Sequence, residues 1–365
     1  MSKQAFLIAL SFMSVVVGGG FASGQETLQF FTGYGIASIA GTLVSGLLFA
    51  FLGMQIARMS SGMQASSHKE VLDSLFGKRA GLVIDLLLSF FLFGVGVVML
   101  AGSGSIFVQQ YDMHPLVGST LLGVLVIATL CLRVTGIINL ISSIMPVLLL
   151  LVLVITGYSF FVSSASLETL EAAATEVSTI SEGWPVSHWL IGAVLYASFN
   201  IAVGFPMLAV IGGMTHNTRQ AMLGGALGGI GLGVLIFLLN IGLFANLERL
   251  VGVEMPSLVL GSGVAPWVGV AMSLALICMI YSTAVGMFFA FTARFAKPET
   301  SRFKVLSVLF TVGGLVLSQF GFSALIGTVY PMLGVLGLIL IIALGIRWKT
   351  ARQRTKAEAA SASGY

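Results

Sequence analysis

Apolar residues run along this chain in blocks of about twenty, separated by short polar or glycine-rich stretches. A helix needs about 20 such residues to cross the hydrocarbon core. A barrel strand would instead alternate over about ten, so the Leu, Val and Ile blocks predict helices. Ten spans follow, at residues 5–31, 36–57, 80–108, 115–132, 137–162, 187–211, 219–246, 265–292, 304–320 and 322–346. Between the second and third lies Ser67–Gly77, too short and too polar to span. Ser67 and Glu70 have the spacing of a capping box, Val71, Leu72, Leu75 and Phe76 share one face, and Gly77 is placed to end the helix. Residues 163–186 hold Glu168, Glu171, Glu176 and Glu182 without Lys or Arg, and read as a solvated outer loop with one short helix. Residues 348–365 are basic, then rich in Ala and Ser, and read as a disordered tail.

Composition fixes the class. The chain has 365 residues, 57% hydrophobic and 8% charged, against roughly 25% charged in soluble domains. It is an all-α polytopic membrane protein with a single transmembrane domain over residues 1–347. The net charge of +4 would fit a nucleic-acid partner, but the distribution of the charges points to the bilayer and excludes nucleic acid. With the N-terminus inside, sixteen of the 17 Lys and Arg residues fall on the inner side, and Arg249 alone falls outside. This bias predicts the plasma (inner) membrane with both termini cytoplasmic. Lys3, the apolar run and Ala22-Ser23-Gly24 have the outline of a signal peptide; the apolar pattern resumes at Leu28, so residues 5–31 read as a retained span. Cys131 and Cys278 sit in apolar runs and read as small buried hydrophobes.

The ten spans divide into two sets of five, residues 1–163 and 187–347. An odd number per half means that the second half enters from the opposite side, an inverted repeat. Ser67–Gly77 then has its counterpart at about 246–262. Each half also begins with a disturbed helix. In the first, Gly18, Gly19, Gly20 and Gly24 interrupt the span and are followed by Gln25 and Glu26. In the sixth, Asn200, Gly204 and Pro206 fall mid-span and predict a second break. Interrupted helices at matching places in two inverted halves point to a transporter's binding site. Unwound backbone is tolerated in a membrane where protein, ligand or cavity water satisfies it. Its free N–H groups suit an anion, and the carbonyls ending the preceding half-helix suit a cation. The competing reading is that Gly18–Gly20 let helices pack closely. Glu26 has three readings: a proton carrier, a fixed charge that favours a cationic ligand, or a structural group bonded to Gln25, Gln29 or a neighbouring helix. Asp85 is expected to pair with Lys78, Arg79 or another inner base. The four histidines lie scattered near predicted interfaces without metal spacing, and no catalytic or phosphate-binding motif is found.

This inverted plan with broken first and sixth helices resembles the LeuT fold of the amino acid–polyamine–organocation superfamily. The stretch Gly18-Gly19-Gly20-Phe21-Ala22-Ser23-Gly24-Gln25-Glu26 resembles more closely that of the YkvI-type membrane proteins. The resemblance implies a secondary active transporter, coupled to sodium or protons, that moves a small amino acid or related solute by alternating access, with spans 1, 2, 6 and 7 rocking against the rest. It implies that Gly18, Gly19, Gly20 and Phe21 hold a substrate carboxylate. Carbonyls at Ser198, Phe199 and Asn200 would hold an ammonium, with Phe199 as a lid. Met99, Gly102, Ser103 and Gly104 would be small pocket walls. Ser282 and Thr283, with backbone oxygens near Ser14, Val17 and Met279, would form a sodium site, and no other cofactor is implied. Hydroxyls in membrane helices also commonly bond back to their own backbone.

Two departures limit the transfer. Relatives of the neurotransmitter type carry an arginine just outside the first-helix break, where this chain has Gly24-Gln25-Glu26. They also carry an acidic residue at the inner end of the eighth helix, where this chain has Arg294. The alternatives to a transporter are an uncoupled channel for a small solute and, more remotely, a membrane sensor or enzyme.

Overall fold

A computed structural model of the chain describes residues 3–131, 150–180, 188–298 and 300–362. Described in chain order are α1 (Lys3–Val16), α2 (Gly19–Ser23), α3 (Gln25–Phe30), α4 (Ala37–Met63), α5 (His68–Tyr111) and α6 (Pro115–Leu130). They are followed by α7 (Leu150–Val162) and α8 (Leu167–Ile180). The second half holds α9 (Trp189–Gly213), α10 (Thr218–Phe244), α11 (Pro256–Val264), α12 (Pro266–Thr292), α13 (Ser301–Leu317) and α14 (Phe322–Ala362). Among the described residues seven helices are long and apolar enough to cross a membrane, and α1, α6 and α7 are apolar but shorter. The protein is an integral membrane protein. The first part of the fifth predicted span, residues 137–149, lies outside the described residues.

Two groups of helices face each other. The pieces of the first span (α1–α3), with α4, α9 and α10, pack on one another; α5, α6, α12 and α13 form the second group; and α14 lies against α9 and α5. Small residues bring α4 and α10 together. A Cβ on Gly46 would lie 3.0 Å from Gly233 Cα, and one on Gly53 would lie 2.6 Å from the Gly225 carbonyl. Backbones this close gain dispersion contacts that bulkier side chains would prevent. A buried network closes the outer end of this group. Asn240 donates to Ser38 Oγ at 2.8 Å, and Thr32 donates to Asn240 Oδ1 at 3.0 Å.

Hydrogen bonds also join helix ends at both faces of the bundle. On the basic side, Ser61 donates to the Thr215 carbonyl at 2.6 Å and Arg347 donates to the Ser74 carbonyl at 2.8 Å. On the other, Gln109 Nε2 donates to the Met255 carbonyl at 3.1 Å and Asn246 to the Ser159 carbonyl at 3.1 Å. The predicted outer loop does contain a helix, α8, but it is less solvated than expected. Leu170, Ala173, Ala174 and Val177 are buried, and Glu171 accepts the Ile36 N–H at 2.7 Å. That carboxylate therefore caps the start of α4, where the helix dipole favours negative charge.

The segment before the third span folds as its sequence predicts, with one change. Ser67 caps α5 by accepting the Glu70 N–H, and Gly77 turns the chain into the span at φ 78°, ψ 161°, which a Cβ would resist. The Glu70 carboxylate, however, takes the N–H and hydroxyl of Ser66, at 3.0 and 2.5 Å. These bonds hold its carboxyl below the usual range.

Two expectations are overturned. The sixth span is not interrupted: α9 runs continuously through Pro206. Its polar residues close on their own helix, Ser198 Oγ donating to the Val194 carbonyl at 2.7 Å and Asn200 Nδ2 to the Tyr196 carbonyl at 3.0 Å. Pro206 removes one ladder bond, to Ala202, and the helix tolerates the loss. The tail is not irregular either, since α14 continues to Ala362. The Ala, Arg, Gln, Lys and Glu residues beyond Trp348 are good helix formers and extend a helix already nucleated in the span.

Candidate functional site

The first span breaks twice. α1 ends at Val16, Gly18 is extended (φ −108°, ψ −171°), the single turn α2 follows, and Gly24 in the left-handed region (φ 82°) redirects the chain into α3. Among the described residues no backbone N–H reaches the carbonyls of Ser14, Val15, Val16 or Val17. These are the unpaired oxygens that a helix end presents, here deep in the protein, since Val16 and Val17 are buried.

The break borders a small cavity of about 20 Å³ lined by Val16, Gly18, Gly20, Glu26, Phe199 and Tyr330, with Asn200, Thr283 and Met99 among its further walls. That volume holds about one water, so a solute of amino-acid size enters only as the walls part. Glu26 is 5% exposed. The Tyr330 hydroxyl stands beside its carboxylate, and Oε2 has no hydrogen-bond partner among the described residues. A carboxyl so enclosed is costly unless it is protonated or balanced by a cation. Of the partners named by the structural reading of Glu26, Gln25 and Gln29 bond Ser323 instead, while Tyr330 on the neighbouring helix α14 stands beside the carboxylate.

Aromatic rings close the cavity over Phe199. The ring centroid of Phe199 lies 4.7 Å from Tyr330, 5.2 Å from Tyr196 and 5.5 Å from Phe30. Nearby stands a tie between α3 and the start of α14. Gln25 Nε2 donates to Ser323 Oγ at 2.8 Å, and Gln29 Nε2 donates to the same hydroxyl at 3.0 Å and to the Ser323 carbonyl at 3.2 Å. The Ser323 N–H in turn donates to Glu254 at 3.4 Å. Amides and a hydroxyl thus connect the first and tenth spans in the region where the family resemblance leads one to look for an arginine.

On the opposite wall, the Thr283 hydroxyl of α12 points at the break, with Ser282 beside it in sequence. Thr283 Oγ1 accepts the Gly19 N–H at 3.2 Å and donates to the Met279 carbonyl at 2.9 Å, and Ser282 Oγ donates to the same carbonyl at 2.9 Å. A Cβ on Gly18 would lie 3.1 Å from Thr283 Oγ1, so the end of α1 and this hydroxyl are immediate neighbours. Because both hydroxyls spend their protons on Met279, their remaining lone pairs are available to a cation. Neutral oxygens of this kind suit sodium in chemistry. Ser14 can contribute only backbone, because its side chain is exposed and donates to the Ser11 carbonyl at 3.0 Å.

Not every expected residue reaches the cavity. Gly19 lies against α12: a Cβ there would come within 2.8 Å of Ile280 Cα, which makes it a packing glycine whose N–H is used by Thr283. Phe21 is buried away from the cavity lining. Ser198 bonds its own helix, and Ser103 donates to the Gly118 carbonyl at 3.0 Å, joining α5 to α6. Gly102 and Gly104 likewise seat Phe322 and Pro115, not a solute. Sequence reasoning missed Tyr330, which lies in a span without other polar landmarks at mid-depth. Asp85, in turn, pairs not with Lys78 or Arg79 but with Arg294 and, at 2.9 Å, with His68 Nε2. Arg294 Nε also donates to Ser89 at 2.7 Å. The arginine standing where relatives carry an acid therefore has its acid on α5.

A helix broken beside a mid-membrane cavity, flanked by two groups of packed helices, defines the LeuT fold, and comparison with known structures agrees. The chain superposes on MhsT in complex with L-phenylalanine with a TM-score of 0.64 at 18% identity, covering 92% of this chain and 88% of that one. It superposes on a Na⁺-coupled sialic acid symporter with a TM-score of 0.53 at 14% identity, covering 87% and 72%. In sequence it is similar to the membrane protein YkvI of Bacillus subtilis (strain 168), 27% identical over 96% of this chain and 98% of that one. No family model matches.

Proposed function

We propose that the protein is a secondary active transporter that carries a small, amino-acid-like solute across the plasma membrane, coupled to sodium or protons. One observation carries the reading: the broken first helix brings unpaired carbonyls, the Thr283 hydroxyl of α12 and the buried carboxylate of Glu26 around one small cavity. The free N–H and C=O groups of the break are the complement of a zwitterion's carboxylate and ammonium. L-phenylalanine and sialic acid, named with the two structural neighbours, both carry a carboxylate. In this reading Gly18, Gly20, Phe199 and Asn200 meet the solute, and Ser282 and Thr283 with the carbonyls of Ser14, Val17 and Met279 hold a sodium ion. Glu26 carries a proton or balances a cation. Ten spans in two inverted sets of five, with both termini cytoplasmic, complete the arrangement.

Alternating access would follow from the two helix groups. The group containing α1, α4, α9 and α10 rocks against the other, and the cavity between them opens to each side in turn. The small volume supports a carrier over an open pore. Counterflow in proteoliposomes tests the reading, using a solute first selected by thermal shift from amino acids, betaines and nucleobases, with and without sodium. Uptake of labelled solute accelerated by unlabelled solute on the far side is expected. Uptake indifferent to the far side would indicate a pore instead.

A further inference from the structure

Away from the central cavity, α4 and α14 part near their basic ends. Between them lies a cavity of about 300 Å³ lined by Gln55, Arg58, Met59, Met63, Arg347 and Trp348, with no Asp or Glu in its wall among the described residues. Arg347 is held by the carbonyl and hydroxyl of Ser74. Arg58 makes no hydrogen bond or ion pair among the described residues. Gln55 is 7% exposed and likewise has no hydrogen-bond partner among them. The amide is not among the fully enclosed polar atoms and opens onto the cavity, where a ligand can reach it. Two guanidiniums and an accessible amide lining one cavity make a donor set for an anion.

We propose that this cavity binds the headgroup of an anionic phospholipid. Guanidinium groups match the paired oxygens of a phosphate diester, and the Gln55 amide adds a donor at the buried end. The rest of the wall is apolar: Met59 and Met63 are adaptable thioethers, and Trp348 is the ring type that collects at membrane–water boundaries. Trp348 is braced by Phe51 of α4, ring centroids 5.4 Å apart in an edge-to-face contact. A free inorganic anion would leave that wall unused. On the same turns of α14, Ile342 and Ile346 stand 60% and 63% exposed, an apolar surface for acyl chains beside the headgroup. A zwitterionic lipid would bring its cationic amine towards two arginines. The chemistry therefore selects a headgroup with net negative charge, of the phosphatidylglycerol kind. The proposal stands on this cavity and is independent of the transport reading.

The full-length protein in a neutral detergent provides the test, by thermal unfolding at fixed ionic strength. Dioleoylphosphatidylglycerol, dioleoylphosphatidylcholine and inorganic phosphate are each titrated. Phosphatidylglycerol is expected to raise the melting temperature with dose, while phosphatidylcholine and phosphate leave it unchanged. Arg58→Gln, at an exposed and unpaired side chain, should weaken the phosphatidylglycerol response about tenfold, the scale of a lost hydrogen bond to a charged group. Gln55→Leu should weaken it less, and Arg219→Gln on α10 should not change it. Equal responses to the two lipids, or an Arg58→Gln response equal to wild type, would overturn the proposal. A phosphate response matching that of the lipid would overturn it in favour of a soluble-anion site. If Arg58→Gln does not fold, the selectivity of the wild type between the two lipids decides.

Discussion

Replacing Gly20 with alanine separates a binding role for the broken helix from a packing role. The new Cβ would fall on Oε1 of Glu26 and would lie 2.9 Å from both Glu26 Cδ and Tyr330 Oη. Carbon does not approach other heavy atoms that closely, so something must move. The obstructing atoms are the far ends of two side chains, which can turn without moving backbone. The folding cost therefore sits at the low end of the overpacking range, about 1 kcal/mol. The effect on transport is larger, because the group displaced is the carboxylate on which the cavity's chemistry turns. Losing one charge-assisted interaction worth about 1.5–3 kcal/mol weakens solute binding or coupling roughly 10- to 150-fold. The assay is the initial counterflow rate in proteoliposomes beside the melting temperature of the same preparation. Gly313→Ala is the control: a Cβ there meets nothing within 4 Å, so it should transport normally. A double-mutant cycle with Glu26→Ala should be strongly non-additive, since both changes act on one contact. Wild-type transport in Gly20→Ala with only a lowered melting temperature would assign the glycine to packing and refute the argument.

Other perturbations probe the remaining parts. Glu26→Gln keeps size and hydrogen bonding but cannot titrate: a proton carrier should lose pH-driven net uptake yet retain exchange, whereas a fixed charge should lose affinity at every pH. Undiminished pH dependence of uptake in that variant would exclude Glu26 as the carrier. Ser282→Ala with Thr283→Val removes both α12 hydroxyls, and sodium-dependent stabilisation or uptake should disappear while the folded protein still reaches the membrane. Arg294→Ala leaves Asp85, whose side chain is 3% exposed, with His68 as its one ion-pair partner among the described residues. Unfolding should be easier by about 3 kcal/mol, the low end for a broken buried pair because Arg294 itself is 31% exposed. Lys78→Ala, at a residue first expected to pair with Asp85, should leave stability unchanged.

How much of this was legible in sequence depends on how local the signal is. The first-helix break was legible because a cluster of glycines followed by a carboxylate is rare inside an apolar block. The bend at Gly77 was legible for the same reason, a glycine closing an amphipathic turn. The sixth helix misled because Asn200 and Pro206 look alike in a broken and a continuous helix; the difference lies in Asn200 bonding back to Tyr196. Gly19 and Gly20 are adjacent and identical in type, yet one abuts the Ile280 backbone and the other faces Glu26. Only the helix azimuth separates them, and an unwound segment has no period from which to read it. Tyr330 and the Asp85–Arg294 pair are contacts across roughly two to three hundred residues of chain, and nothing local announces them.

The amide tie between the first and tenth spans has a consequence for the environments in which the protein can work. Each of the three bonds that Gln25 and Gln29 make to Ser323 joins neutral partners, and a neutral bond nets about 0.5–1.5 kcal/mol. Their sum is a few kcal/mol, so the tie contributes a factor on the order of 10 to 10³ to whichever arrangement makes it. That margin is small enough for one well-placed ligand to reverse. An ion pair in the same position would weaken as salt rose outside the cell, because mobile ions screen exposed charges. Neutral donors and acceptors carry no such dependence. The three side-chain bonds of this tie are therefore insensitive to ionic strength, and only the Ser323 N–H bond to Glu254 involves a charged group.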